Sequence, residues 1–233
     1  MKVCWVSAGV SSFVAGYLAK NVDKYIYIDV DDQHPDSMRF IKDCEKVLGK
    51  KIVILKSPYG SVENVARKRK IITTPNGAPC TMILKKQVRL EWEQKQSEQL
   101  TYVWGYDCNE KHRAERMREN FWEYEHEFPL IDLNLTKEDA HGICERLGIK
   151  RPVMYDMGYS NNNCVGCVKG GMGYWNKIRK DFPEVFERRA KLERELGCKI
   201  LKECYLDELD TNRGSTSEVI PECSLLCELA MEE

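Results

Sequence analysis

The chain has 233 residues, 42% of them hydrophobic and 31% charged, with a formal net charge of −1. It is long enough to bury a sizeable core. The balanced charge excludes a chain-wide field that would draw it to nucleic acid or an anionic membrane, and no apolar run approaches the length of a membrane span.

MKVCWV reads as a buried strand rather than the apolar stretch of a signal peptide. SAGVSS follows, Ser7 to Ser12, small residues and hydroxyls before a helical pattern through Phe13, Val14, Tyr17 and Leu18. Two readings fit: a tight strand-to-helix turn, or a loop holding an anion. In the second, Ser7, Gly9, Ser11 and Ser12 surround a phosphate held by free N–H groups, the helix dipole and hydroxyls. The stretch is neither a Walker loop, lacking GK[ST], nor a G-x-G-x-x-G fingerprint. KYIYIDV is a second strand, ending in the acidic cluster Asp29, Asp31 and Asp32, with His34 just beyond. DSMRFIKDCEKVLG reads as a helix stopped by Gly49, and KIVIL as a third strand. ARKRK, Ala66 to Lys70, reads as a solvated helix face. In PCTMILKK, Lys85 and Lys86 follow Cys80 by about one helical turn. TYVWGY is a fourth strand, with Arg113 and Arg116 after its end.

This alternation predicts an α/β fold, a parallel twisted sheet with helices on both faces and ligands at the carboxyl ends of its strands. SAGVSS, IDVDD and Gly105–Asp107 all fall at such ends. LTKEDAHGICERLGI reads as a helix capped by Thr136. YDMGYSNNNCVGCVKGGMGYW has little regular pattern. DFPEVFERRAKLERELG is a helix, about 182–196, with Asp181 as its cap and Gly197 as its stop. The remainder starts polar and reads as mobile. We therefore expect a nucleotide-binding domain over 1–157 and a cysteine-bearing C-terminal segment over 158–233.

Eleven cysteines are an odd number, which rules out complete internal pairing. Their abundance without a disulfide framework leads us to expect a cytoplasmic chain with reduced thiols, some binding metal and most filling the core. CVGC, with Cys164 and Cys167, sets two sulfurs at a spacing that serves one zinc ion or iron–sulfur cluster. Further ligands must come from elsewhere, and Cys80, Cys223 and Cys227 are the candidates. Lys85, Arg113 and Arg116 suit recognition of phosphate or sulfate.

In order along the chain, these segments resemble the PAPS (phosphoadenosine phosphosulfate) reductase family, within the N-type ATP pyrophosphatase (PP-loop) folds. SAGVSS resembles the family's phosphate loop, YIDVDDQHPDSMRF its second strand and acidic continuation, and PCTMILKK its cysteine-plus-basic segment. WGYDCNEKHRAER resembles the segment that closes over the nucleotide. FPLIDLNLTKED followed by GIKRPVMYDMGYSNNNCVGC carries the most specific match. PECSLLC resembles the tail whose cysteine is the family's nucleophile.

The resemblance implies an enzyme that binds PAPS, APS or ATP and reduces a sulfonucleotide to sulfite. Cys223 is then the nucleophile, with Lys85, Arg113 and Arg116 neutralising the leaving phosphate. Asp29 belongs to the nucleotide site, and a [4Fe–4S] cluster or zinc sits on Cys80, Cys164 and Cys167. A thioredoxin-like thiol donor is the implied partner. The chain departs from the pattern in three places. Ser11 stands where ATP-cleaving members carry aspartate, Pro79–Cys80 replaces a tandem Cys-Cys, and the tail lacks the expected Gly and His. The departures keep two alternatives open: a PP-loop sulfurtransferase that adenylates and thiolates a nucleobase or nucleic-acid backbone, and a non-catalytic nucleotide-binding sensor.

Overall fold

The structure, a computed structural model, describes residues 1–75, 77–221 and 230–231. Cys223 and Cys227 lie outside the described residues.

Among the described residues, five strands form one sheet in the order β3-β2-β1-β4-β5, with every neighbouring pair parallel. They are β1 Lys2–Val6, β2 Lys24–Asp29, β3 Ile52–Lys56, β4 Thr101–Val103 and β5 Glu125–Glu127. The β-branched and aromatic runs predicted as strands one to four become β1 to β4. β5, EHE, is three polar residues that pair with β4 because Thr101, Tyr102 and Val103 offer it a free edge. Pleating sends alternate residues to opposite faces. Cys4, Val6, Tyr25, Tyr27 and Ile52 therefore share a core with one set of helices, while Val3, Ile26 and Tyr102 pack on the other face.

Helix α1, Val10–Leu18, follows β1 and buries Phe13, Val14 and Ala15. α2, Asp36–Leu48, buries Phe40, Ile41 and Cys44 on the same face and stops at Gly49, whose φ of 62° needs no Cβ. α3, Val62–Arg69, carries most of ARKRK, whose cations are exposed at its last turn, as its polarity predicts. The next helical stretch comprises α4, Pro79–Thr81, a π-helical turn over Met82–Lys86, and α5, Gln87–Glu93. After β4 come α6, Lys111–Asn120, and the short α7, Pro129–Asp132. α8, Lys137–Arg146, begins at the predicted cap: Thr136 accepts from the Asp139 N–H and Asp139 reaches back to Thr136. α9, Val153–Asp156, leads into the CVGC loop.

α10, Met172–Asp181, and α11, Pro183–Leu196, pack against each other. Asp181 ends α10 rather than capping α11, whose first turn has no side-chain cap. The Asp181 carboxylate instead accepts from the Tyr159 hydroxyl at 3.0 Å and pairs with Lys177 at 3.0 Å, satisfying a carboxylate that an α11 cap would also have used. The polar run after residue 210 also differs from a mobile tail. Gly214 lies so close to Gly173 that a Cβ would meet its nitrogen at 2.1 Å, and Arg151 holds the Val219 carbonyl at 2.9 Å.

A second hydrophobic cluster runs from Val30 and Val62 to Trp175, Ile178 and Leu192. An ionic strut crosses it. Arg189 of α11 is fully buried and bonds both Asp32 and Glu63, the latter at 2.6 Å. Asp32 also accepts from the Val62 N–H at 2.6 Å, and its carbonyl accepts from Val165 at 2.7 Å. The end of β2, the start of α3, α11 and the CVGC loop are thereby fastened at one point. Among the described residues no helix is long and apolar enough to cross a membrane.

Candidate active site

In a parallel sheet the crevice opens where strand order reverses, here between β1 and β4. A cleft of about 390 Å³ lies there, lined by Ser7, Gly9, Ser11 and Ser12 after β1 and by Trp104, Gly105 and Tyr106 after β4. That volume suits a nucleotide-sized ligand.

The SAGVSS turn is built from its own side chains. The Ser12 hydroxyl accepts from the Ser7 N–H at 2.9 Å and donates to the Gly9 carbonyl at 2.9 Å. Ala8 takes φ of 57°. Ser12 is 93% buried and its hydroxyl is committed to the loop, where it also accepts from the exposed Ser7 hydroxyl at 3.0 Å, so it shapes the turn, while Ser11 is the more open hydroxyl at the cleft. Gly9 at the N-cap brings no side-chain acceptor of its own to the first-turn amides of α1, one of which is met instead from α9. The Val10 N–H is taken by the Tyr155 hydroxyl, whose pKa burial pushes up to about 12. Gly105 passes directly over this turn: a Cβ there would lie 2.4 Å from the Ser12 Cα and 2.6 Å from its nitrogen.

Cations face the loop from three elements. Lys85 sits in the π turn, and its charge acts to lower the nearby Cys164 thiol. Lys85, Lys86 and Arg89 line the cleft from that helix. Arg113 lines it from α6, its guanidinium 4.4 Å from the centre of the Tyr106 ring and in contact with Glu110. Lys137, the first residue of α8, supplies a further amine, which donates to the Ser160 carbonyl and to Asn161 Oδ1 at 2.9 Å. Burial draws its pKa below the ordinary lysine value, opposed by the charges of Asp107 and Glu110. Burial raises the Asp107 carboxyl in turn.

Two predicted residues stand elsewhere. Asp29 is outside the lining: its carboxylate lies 3.6 Å from the Lys56 amine and accepts from the Tyr27 hydroxyl at 3.4 Å. Lys56, on the neighbouring strand, draws it there and also pairs with Asp31 at 2.6 Å. Arg116 is outside the lining, exposed on α6 nearly a turn further along the helix than Arg113. The arginines of FERRAKLER are likewise engaged: Arg188 and Arg189 reach Glu63, and Arg194 pairs with Asp207 at 2.8 Å.

Cys80, Cys164 and Cys167 are near enough to raise one another, but none lines this cleft, and Cys167 opens on a separate pocket with Tyr159 and Tyr174. Burial pushes the Cys164 thiol up to about 12, with Cys167 and Cys80 adding to the rise and Lys85 opposing it. Cys80 is raised by burial and by Cys167. Tyr174 ties the loop, accepting from the Cys167 N–H at 2.9 Å and donating to the Cys164 carbonyl at 3.0 Å. Among the described residues no three His, Cys, Asp or Glu side chains are arranged to hold a metal ion. The three thiols thus influence one another without forming a closed ligand set.

Residues not singled out in the sequence complete the site: Trp104 and Tyr106, Arg89, Lys137 and Tyr155. Some left a local trace. W-G-Y at a strand end places both rings on one side of the chain, and Arg89 stands one turn after Lys85. Lys137 and Tyr155 arrive only through packing.

Among solved structures, the chain is similar to a phosphoadenylyl-sulfate (PAPS) reductase from Candida auris in its phosphate complex, at 13% identity and a TM-score of 0.48. The match covers 70% of this chain and 80% of that one. No protein-family model and no curated protein matches the chain.

Proposed function

We propose that the chain is an adenine-nucleotide-binding enzyme that reduces a sulfonucleotide such as PAPS or APS to sulfite. One observation carries the nucleotide reading: the start of α1, where Gly9 brings no side-chain acceptor, opens into a nucleotide-sized cleft faced by Lys85, Arg113 and Lys137. Amides and a helix dipole on one side and cations on the other form a preorganised site for phosphate or sulfate charge. Lys137 acts as a desolvated cation, so its charge is little screened by water.

In the proposed chemistry a Cys223 thiolate attacks the sulfonyl sulfur. The bond from that sulfur to the bridging phosphate oxygen breaks, and the electron pair leaves with the nucleotide, whose charge the cleft cations offset. The enzyme then carries an S-sulfonate. A thioredoxin-class thiol attacks the cysteine sulfur, sulfite departs, and the two thiols end as a disulfide. A [4Fe–4S] cluster or zinc on Cys80, Cys164 and Cys167 is a separable part of the proposal. The described thiols do not complete a site for it, so no step passes through it; iron and zinc analysis of anaerobically purified protein decides it.

The test is the intact mass of the protein after incubation with PAPS, or with APS, without reductant, beside a calorimetric titration of the same nucleotide. The expected result is one added sulfonate, absent in Cys223→Ser, and nucleotide affinity about tenfold weaker in Lys137→Gln. Nucleotide binding without any adduct sinks the reductase chemistry and keeps the nucleotide site. Absence of binding sinks both.

A second reading, thiolation of a nucleic acid after adenylation by ATP, is favoured by the half-exposed aromatic pair Trp104 and Tyr106 on the β4 side of the same cleft.

A further inference from the structure

Trp104 and Tyr106 flank Gly105, which is pressed onto the first turn of α1. Alternation along an extended segment then puts both rings on the same side of the chain. The rings are nearly parallel, at 10° with centroids 6.2 Å apart, and Tyr106 continues onto the buried Phe128 at 15° and 5.8 Å. The Trp104 indole N–H donates to His126 Nδ1 at 3.0 Å, which fixes the ring. Guanidinium groups lie against this ladder: Arg113 over Tyr106 at 4.4 Å, Arg89 over Trp104 at 5.8 Å and Arg118 over Phe128 at 4.7 Å.

The pattern continues out of the cleft along α6. KHRAERMREN carries Lys111, Arg113, Arg116 and Arg118 against Glu115 and Glu119, four cations to two anions. The helix is 10 residues long, about 15 Å at the usual rise, further than one nucleotide reaches. Just past its end Phe121 lies under the Arg89 guanidinium at 4.7 Å, and Trp122 is 81% exposed. A large exposed indole beside a cationic helix contributes nothing to the core.

We propose that this surface is a binding track for single-stranded nucleic acid. One base stacks on the Trp104–Tyr106 platform inside the cleft, the cations of α6 follow the phosphates, and Trp122 meets a further base. Fixed aromatic faces with interleaved cations fit unpaired bases, which expose their rings for stacking; a duplex does not. The inference deepens the second reading above, by placing its acceptor, and does not depend on the reductase chemistry.

The test is fluorescence anisotropy of short labelled oligo(dT) and oligo(U), and of the matching duplex, across a salt series, with ATP and PAPS titrated into the same preparation. The expected result is binding to single strands, tighter than to duplex and weakening with salt. Tyr106→Leu should weaken it about tenfold and Tyr106→Phe should restore it. Trp122→Ser should weaken it while leaving nucleotide affinity unchanged. Arg118→Gln should lower the logarithmic salt slope by about 0.7, the share of one phosphate on a single strand. The inference is overturned by no single-strand binding at low salt, or by equal binding to duplex that ignores the ring variants. Either result leaves nucleotide binding standing if ATP or PAPS still binds. Oligonucleotide binding with no nucleotide binding keeps the track and removes the nucleotide reading.

Discussion

Gly105 illustrates how much of the candidate site hangs on single atoms. Its Cα passes the first turn of α1 so closely that an added methyl meets backbone, 2.4 Å from the Ser12 Cα, rather than a side chain able to swing aside. One rigid element must therefore shift against another. Gly105→Ala should cost about 1–3 kcal/mol, toward the upper end because backbone yields least, and should weaken nucleotide binding by displacing the loop. Thermal denaturation and a nucleotide titration check both effects. Ser12 acts through the same turn. Its hydroxyl closes the loop on Ser7 and Gly9 and accepts from the Ser7 hydroxyl as well, so its contribution to an anion site is the shape of the turn, while Ser11 is the more open hydroxyl.

At the level of elements, Arg189 is what joins the C-terminal helices to the sheet. It carries no exposed surface and holds Asp32 at the end of β2 together with Glu63 of α3, and the Asp32 backbone in turn holds Val165 in the CVGC loop. Removing one partner of such a pair strands the other charge in a dry environment. Arg189→Met should destabilise the protein by about 3–5 kcal/mol, and pairing it with Asp32→Asn should recover part of the loss. Chemical denaturation of the two single variants and the double variant measures the coupling; strict additivity would show that the strut carries nothing. The π turn is the second device at this scale. It carries Lys85, which lines the cleft and whose charge also reaches the Cys164 thiol.

For the whole molecule, acid stability has an identifiable weak point in His141. It is 98% buried in α8, its ring meets Tyr155 edge-on at 4.4 Å, and neither ring nitrogen has a hydrogen-bond partner among the described residues. Burial, with Arg151 and Lys137 adding to it and Asp156 opposing it, holds its pKa down at about 3. The unfolded chain takes up a proton near pH 6.5 and the folded one does not. Stability is therefore lost as pH falls from about 6.5 toward 3. By pH 5 the loss is about 2 kcal/mol, a fall in Tm of roughly 4–8 °C. His141→Phe keeps the ring contact and should flatten the Tm profile between pH 7 and pH 5; an unchanged slope would assign the acid sensitivity to other groups.

The sequence by itself determined what local physics controls. Alternating apolar runs specified β1 to β4 and their parallel sheet, Gly49 and Gly197 ended helices because they accept a left-handed backbone, and Thr136 with Asp139 capped α8. The phosphate-loop candidate and the cations Lys85 and Arg113 were legible because small residues and charges at strand ends open onto a cleft in any such sheet. Tertiary structure alone decided which charges are spent on the fold. Asp29 and Asp32 stand three residues apart in one acidic cluster, yet the first faces Lys56 across a strand and the second faces Arg189, 157 residues away. Tertiary structure likewise left Arg116 outside the cleft, brought Lys137 and Tyr155 to the loop and drew a polar EHE segment into the sheet. A charge's role depends on the partner and burial that long-range packing supplies, and no pattern of neighbours along the chain carries that information.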